Sequence, residues 1–203
     1  FYALDLASQT VLWTQALPAD NELSSPAVVN GVVYFGVWTG DVYALDASTG
    51  AILWQHNVAP SDTSPQIYSP AVVGGVVYVT VEAYRPDPNN PSFTPHVLSV
   101  YALDAASGSE LWHTDVASVD GWSAISDPVV VNGVVYVGTR DQGTFALSAS
   151  DGSILWHAPH VAGAVRANVN FDGYVIVHNG RVVIPFTFGT YPNQWDVFYA
   201  YDA

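Results

Sequence analysis

The chain has 203 residues, and half of them are apolar, which provides enough material for a sizeable core. Its 18 acidic residues outnumber four basic ones, and the net charge of −14 argues against binding to nucleic acid or to an anionic membrane surface. No apolar run approaches the roughly 20 residues of a membrane-spanning helix, so membrane insertion is not expected. There is no cysteine, which excludes disulfides and thiolate sites. Only 11% of the residues are charged, which favours an exported protein, extracellular or periplasmic.

The first strands of the chain form two kinds of predicted hairpin. FYALDLASQTVLW (1–13) predicts two strands around a tight turn, and the second strand ends on a tryptophan. SSPAVVNGVVYFG (24–36) predicts a different hairpin, because Asn-Gly between two β-branched runs is typical of a type I′ turn. YALDASTGAILW (43–54) then returns to the first kind. We name the strands of the second kind a and b, and those of the first kind c and d.

Both hairpins recur along the rest of the chain. YSPAVVGGVVYVT (68–80) and SDPVVVNGVVYVG (126–138) repeat the a–b hairpin, and a weaker copy spans 172–186. VYALDAASGSELW (100–112) and TFALSASDGSILW (144–156) repeat the c–d hairpin, and FYAYDA (198–203) begins it again. The predicted units are residues 1–16 (c and d only), 26–57, 69–116 with an insertion at 84–97, 127–158 and 173–203 (a, b and c).

Repetition of four short strands predicts an all-β fold, a β-propeller of four-stranded antiparallel blades. Each blade is too small to bury both of its faces until its neighbours stack on it. The two end pieces both contain strand c, so they do not combine into one closed blade. We therefore expect an arc of a larger propeller of about seven or eight blades. The alternatives are a chain completed by a partner, or a ring that closes at about four or five blades.

The c–d hairpin carries a motif that identifies a family. The pattern Ala-x-Asp-x-x-Thr-Gly-x-x-x-Trp, complete at 44–54, resembles the tryptophan-docking motif of the PQQ-binding-like (quinoprotein-type) β-propeller repeat. Residues 102–112 and 146–156 match it with small substitutions, and residues 3–13 match it with Gln9 in place of glycine. The resemblance implies that each tryptophan packs between adjacent blades. The residues with this structural role would be Trp13, Trp54, Trp112, Trp156, Gly50, Gly108, Gly152, Asp5, Asp46 and Asp104.

Strand alternation places the a–b and c–d turns on one side of the propeller, the turn face. The other side, the loop face, receives the longer connections, and these are where binding usually occurs. The predicted d–a loops are 16–25, 58–68, 116–126 and 159–170, and the predicted b–c loops include 84–96 and 187–196. Candidate binding residues on the loop face are Glu22, Asp62, Asp120, Trp122, Arg166, Asn168 and Asp172.

The candidate residues occur one or two to a loop and form no catalytic or metal-binding motif. We therefore expect a non-enzymatic, exported scaffold without a cofactor. It would present its loops to a protein or glycan partner, bind further blades or subunits that complete the propeller, or pack in a surface assembly. The alternative is part of a quinoprotein dehydrogenase that oxidises an alcohol or sugar with PQQ and Ca²⁺. That family resemblance implies quinone contacts from Asp120, Arg166 or their neighbours.

Overall fold

The computed structural model describes residues 1–17, 22–59, 63–86, 90, 94–120, 123–159, 170–171, 175–190 and 193–202. All regular elements in these ranges are β-strands, and they form five antiparallel sheets that follow one another along the chain. The first sheet pairs β1 (Tyr2–Asp5) with β2 (Thr10–Thr14). The second sheet consists of β3 (Ala27–Val29), β4 (Val32–Val37), β5 (Asp41–Asp46) and β6 (Ile52–Asn57).

The third sheet has longer strands than the second and fourth sheets. It contains β7 (Thr63–Ile67), β8 (Ala71–Val73), β9 (Val76–Tyr84), β10 (His96–Asp104) and β11 (Glu110–Val119). The fourth sheet contains β12 (Val129–Val131), β13 (Val134–Thr139), β14 (Gly143–Ser148) and β15 (Ile154–Ala158). The fifth contains β16 (Asn170–Phe171), β17 (Ile176–His178), β18 (Arg181–Thr190) and β19 (Asn193–Asp202).

The apolar core lies between the sheets. Four clusters of buried residues each join one sheet to the next, so that the sheets are stacked face to face in series. Val77, Val79 and Val81 of β9 face the second sheet, whereas Tyr78 on the opposite side of β9 faces the fourth. Alternate side chains of one strand thus serve two interfaces, which is why these strands are apolar on both faces.

The a–b hairpins have the predicted type I′ turns. Asn30 has a φ of 51° and Gly31 a φ of 78°, and Asn132 and Gly133 have φ values of 51° and 78°. Two successive residues with positive φ match the right-handed twist of the flanking strands. The backbone N–H of Ala47, in the c–d turn, donates to the Gly31 carbonyl at 2.8 Å. The two kinds of turn therefore meet on one side of the sheet, as expected for the turn face.

Each c–d hairpin contains a β-bulge at the same place. The register shifts after Ala3, Ala44, Ala102 and Ala146, one residue before the leucine of the motif. A bulge adds one residue to strand d and locally increases its twist. The tryptophan pairs directly with the alanine before the bulge, as Trp54 does with Ala44.

Two strands were not predicted. The segment 58–68 was expected to be a loop, but β7 pairs with β9 over part of it. The physical reason is that strand a is interrupted at Pro70, which has no N–H to donate to the ladder, and pairing resumes on the other side of the proline. Single bridges, Leu23 with Val37 and Ile125 with Thr139, lie at the corresponding places in the second and fourth sheets. The other unpredicted strand is β16, which pairs with β18.

Two predicted loops were too long. The b–c loop expected at 187–196 is wrong, because β18 and β19 run through it and stay paired from Arg181 with Asp202 to Thr190 with Asn193. Gly189 pairs with Gln194 near the end of this long pair of strands. The d–a loop expected at 116–126 is also shorter, because β11 extends to Val119 to pair with His96 of the lengthened β10. The total number of blades stays a prediction.

Candidate functional site

On the turn side, each sheet presents a tryptophan to the next. The indole N–H of Trp54 donates to the carbonyl of Ala105 at 3.0 Å, and the hydroxyl of Tyr34 donates to the same oxygen at 3.2 Å. The equivalent indole bonds join Trp13 to Ala47 at 2.9 Å and Trp112 to Ala149 at 3.1 Å. Trp156 packs against the fifth sheet, with its ring centroid 6.0 Å from that of Tyr201. All four tryptophans thus lie between successive sheets.

The motif glycines lie directly against these indoles. A Cβ atom added to Gly50 would be 2.4 Å from a ring carbon of Trp13, and at Gly108 it would be 2.6 Å from Trp54. Gly152 is as close to Trp112, at 2.5 Å. These glycines also have φ values of 72–74°, a conformation that side chains disfavour. Two requirements, space and backbone conformation, therefore select glycine at this position.

The motif aspartates hold the c–d turns. The Oδ1 atom of Asp46 accepts hydrogen bonds from the backbone N–H groups of Ser48 and Thr49 at 2.9 and 2.8 Å, and from both of their hydroxyls. Asp5 and Asp104 accept equivalent bonds from Ser8 and Ser107. Hydrogen bonds from these serine side chains lower the pKa of each aspartate, because they favour the ionised carboxylate. Their effect on stability stays a prediction.

Two of the seven candidate binding residues fall within the described part of the chain. Glu22 and Asp120 are both exposed, and they lie on connections that lead into different sheets. The Glu22 carbonyl accepts a hydrogen bond from the backbone N–H of Trp38 at 3.1 Å. The other five candidates, Asp62, Trp122, Arg166, Asn168 and Asp172, lie outside the described residues. The described residues alone therefore do not assemble the predicted site.

Sequence reasoning missed several residues that the structure places at or near the loop face. Trp38 follows β4 and is 39% exposed, an unusual position for a large aromatic side chain. Arg85 donates to Asp115 at 2.6 Å, and Ser99 donates to the other oxygen of Asp115 at 2.7 Å. A tryptophan immediately after an apolar strand was the available signal for Trp38.

A buried polar cluster lies at the loop-side end of the interface between the third and fourth sheets. Glu82 of β9 is only 1% exposed, and its carboxyl is hydrogen-bonded to the Tyr68 side chain. The Glu82 Oε2 atom has no hydrogen-bond partner among the described residues. Thr80 donates to the Ser126 carbonyl at 2.7 Å, and the neighbouring Asp127 accepts from the Ser69 backbone N–H at 2.8 Å.

Burial controls the protonation of this cluster. It raises the pKa of Glu82 to about 7, against the opposing effect of the hydrogen bond with Tyr68. Burial also raises the pKa of Asp127, opposed by the hydrogen bonds from Ser69. The pKa of Tyr68 is raised, first by burial and then by the charge of Glu82. The sequence signal was a glutamate in the apolar run VVYVTVEAY of β9.

The described residues contain no group of three or more histidine, aspartate or glutamate side chains that could hold a metal ion. They also include no helix with the length and apolarity to cross a membrane.

Comparison with known proteins identifies the family. A family model described as outer membrane protein assembly factor BamB matches residues 1–85 and 98–198. The chain belongs to this family. The BamB protein of Yersinia pestis is 30% identical over 191 residues, which are 90% of this chain and 44% of that protein. The resemblance to PQQ-like propeller repeats, predicted from the tryptophan motif, is confirmed.

Enzymes occur among the relatives of this BamB-family chain. The quinoprotein alcohol dehydrogenase PedH of Pseudomonas putida is 28% identical over 149 residues, 69% of this chain and 23% of that enzyme. The crystal structure of the quinohemoprotein alcohol dehydrogenase from Comamonas testosteroni has a TM-score of 0.62 at 17% identity and covers 99% of this chain and 40% of that one. At this identity, the structural match shows the propeller fold alone. The chain spans less than half the length of each of the three relatives named here.

Proposed function

We propose that this chain forms part of an exported, non-enzymatic propeller that binds a protein partner through its loop face. The proposal depends mainly on the match to the outer membrane protein assembly factor family over most of the chain. An assembly factor works by contact with other proteins, and that function requires a surface that is held in place by a rigid framework. The exported location would be the periplasmic side of an outer membrane.

The distribution of contacts over the sheets supports the loop face as the binding surface. On the turn face, the turns are short and their backbone groups are bonded to each other, as Ala105 is to Gly75 at 2.9 Å. On the loop face, the connections differ in length between sheets, and the exposed side chains include Trp38, Glu22 and Asp120. Exposed aromatic residues are enriched at the centres of protein interfaces.

Charge narrows the class of partner. With a net charge of −14, the protein repels acidic surfaces, so the partner surface should be neutral or basic. A glycan partner and packing in a surface assembly were the other predictions from sequence. The family match favours a protein partner over a glycan, because the family model and the Yersinia relative are described as protein assembly factors.

Site-specific photo-crosslinking tests the proposal. A photoreactive amino acid replaces Trp38 on the loop face or, in the matched control, Asn30 at the tip of an exposed turn on the turn face. The probe is the set of remaining subunits of an outer membrane protein assembly complex, purified from a strain that lacks its own BamB. We expect crosslinks from position 38 that an excess of Yersinia BamB suppresses, and none from position 30. Equal crosslinking from both positions, or none from position 38, would contradict the proposal.

The second candidate function is part of a PQQ- and Ca²⁺-dependent dehydrogenase, and the match to a quinoprotein alcohol dehydrogenase favours it. Two residues were named for quinone contacts. Asp120 is exposed, and Arg166 lies outside the described part of the chain. The described part contains no group of three or more acidic or histidine side chains that could hold a metal ion. We therefore assign no catalytic step to these residues. The test is calcium-dependent retention of PQQ by the chain on gel filtration, with dye reduction in the presence of an alcohol. Retention with turnover would favour the dehydrogenase over the binding protein.

A further inference from the structure

The first sheet has an apolar face that the described part of the chain leaves uncovered. In the second sheet, Tyr43 and Leu45 are 2% and 0% exposed, because they pack against the first sheet. Their equivalents in the third sheet, Tyr101 and Leu103, are 4% and 0% exposed, and those in the fourth, Phe145 and Leu147, are 5% and 0% exposed. In the first sheet, the equivalent Tyr2 and Leu4 are 64% and 48% exposed. Tyr2, Leu4 and the neighbouring Leu6 form what we name the leading face.

The repeat indicates what kind of surface the leading face is built to meet. At the three interfaces among the first four sheets, the same two motif positions are covered by the preceding propeller sheet. Leu6 corresponds to Ala47, Ala105 and Ala149, whose carbonyls accept the indole bonds, and its side chain is 91% exposed. An apolar patch of this kind is unusual on the surface of a soluble protein and indicates an interface. The leading face therefore has the form of a blade-to-blade contact.

One residue makes this contact different from the others. Gln9 occupies the position of Gly50, Gly108 and Gly152, and it keeps a positive φ of 57°. The turn around it is the same, because the Gln9 N–H donates to the Asp5 carbonyl at 2.8 Å, as the Gly50 N–H does to that of Asp46. The Cβ atom of Gln9 therefore lies where the glycines leave space. At the three glycines, an added Cβ would be 2.4–2.6 Å from the incoming indole, too close for any side chain.

We propose that the leading face is covered by a further propeller blade of the same polypeptide, and that this blade has a side chain smaller than tryptophan at the docking position. The Yersinia relative is more than twice as long as the segment that this chain matches, which leaves room for such a blade. The Gln9 side chain fills the volume that an indole takes elsewhere. This seam of the propeller would therefore lack the tryptophan contact that the three seams with a motif glycine have.

The steric premise can be tested inside the chain. Gly108→Gln introduces the first-sheet residue at an interface that has a tryptophan. It should lower the free energy of unfolding strongly when Trp54 is present, and much less in a Trp54→Ala background, because the collision is then absent. Equal losses in both backgrounds would show that glutamine and indole do not compete for this space, and the proposal would fail.

The occupant is tested by fusing a second copy of residues 22–57 to the start of the chain through a flexible linker. Since the protein has no cysteine, Leu4→Cys gives a single thiol whose rate of labelling reports whether the leading face is covered. On the native Gln9 host, a copy with Trp54→Ala should slow labelling about tenfold more than a copy with tryptophan, a ratio that corresponds to about 1.4 kcal/mol. On a Gln9→Gly host, the copy with tryptophan should instead slow the labelling of Leu4→Cys more than the copy with Trp54→Ala. Val28→Cys, which is 63% exposed in the native protein, is the control thiol, and its labelling should not change.

Three outcomes would overturn the proposal. The first is that, on the Gln9 host, the tryptophan copy protects Leu4→Cys to the same extent as the alanine copy. Neither copy could protect it on either host, which would exclude a blade as the occupant. Labelling of the unfused chain could slow as its concentration rises, which would show that a second copy of the chain covers the leading face.

Discussion

The turn-side and loop-side halves of the sheets differ in how closely they repeat. On the turn side, the second–third and third–fourth interfaces have the same contacts, with one alanine carbonyl accepting from a tryptophan and a tyrosine of the preceding sheet. On the loop side, equivalent positions carry different chemistry. Gly36 is covered by the Ile67 side chain, whereas Thr80, at the same position of the next sheet, donates to the Ser126 carbonyl.

The difference shows which half of a blade is constrained by the stacking. Each sheet must meet the next in the same orientation, and the tryptophan, glycine and alanine of the turn side fix that orientation. Once it is fixed, the loop-side ends of the strands can lengthen, as in the third sheet, or include buried polar groups such as Glu82, without changing the arrangement of the sheets. The loop-side half is therefore free to acquire a binding function.

The largest expected effect comes from removing a turn-side contact. Trp54→Ala should lower the free energy of unfolding by about 3–5 kcal/mol, because it removes a large buried ring and leaves a cavity between two sheets. The measurement is chemical denaturation followed by circular dichroism. The matched control is Leu53→Ala, at the neighbouring residue that is 52% exposed, with an expected change within about 0.5 kcal/mol. If Trp54→Ala lowered the free energy of unfolding by less than about 1 kcal/mol, the turn-side contacts would not be what holds the sheets together, and the contrast between the two sides would fail.

The second effect tests the buried loop-side carboxyl through its pH dependence. The pKa of Glu82 is about 7 in the folded protein, above the ordinary value of 4.5, so the folded state holds the proton more tightly than the unfolded chain. The associated stability is complete below pH 4.5 and is lost as the pH rises through about 7. Between pH 5 and pH 8.5, we expect this one group to lower the free energy of unfolding by roughly 2–3 kcal/mol.

Glu82→Gln should remove most of that pH dependence, because the amide keeps an acceptor for Tyr68 and carries no charge. The variant should be more stable than the native protein at pH 8.5 and close to it at pH 5. Asp127, whose pKa is also raised, should leave a smaller dependence in the same direction. Thr80→Val, which alters the same buried end without a titrating group, is the control. An unchanged pH profile in Glu82→Gln would show that the carboxyl stays ionised in the folded protein.

The smallest effect is expected in the turns, which repeat but lie at the surface. Asp104→Ala should lower the midpoint of thermal unfolding at pH 7 by less than the Trp54 change does, because it removes the acceptor for the Ser107 and Ala106 N–H groups. The pKa of Asp104 is lowered, so its contribution is present above the ordinary value of 3.8 and is lost as the pH falls below it. The difference between variant and native protein should therefore shrink in acid. Asp104→Asn keeps an oxygen acceptor, so its midpoint of thermal unfolding should lie between those of Asp104→Ala and the native protein.

Much of the architecture could be predicted because the signals are local. Asn30-Gly31 and its counterparts specify hairpins through the backbone conformations that these residues allow, and the spacing from Ala44 to Trp54 is a motif within one hairpin. The missed strands have no such signal. Pairing of β7 with β9 depends on contacts across a proline interruption, and the length of β18 and β19 depends on how far the two strands pair with each other. The predicted loop-face residues were chosen for their chemistry alone, and Trp38 was overlooked because it follows a strand without a motif.

The sequence by itself determined that the chain is built from repeated antiparallel hairpins, that it resembles PQQ-like propeller repeats, and that it is strongly acidic. These properties follow from residue types and from spacings shorter than one hairpin. Only the tertiary structure decided which carbonyl each indole reaches, that Glu82 is buried beside Tyr68, and that Tyr2 and Leu4 are exposed where their counterparts are covered. Such facts arise when separate sheets stack, and stacking brings together residues that are dozens of positions apart in the chain.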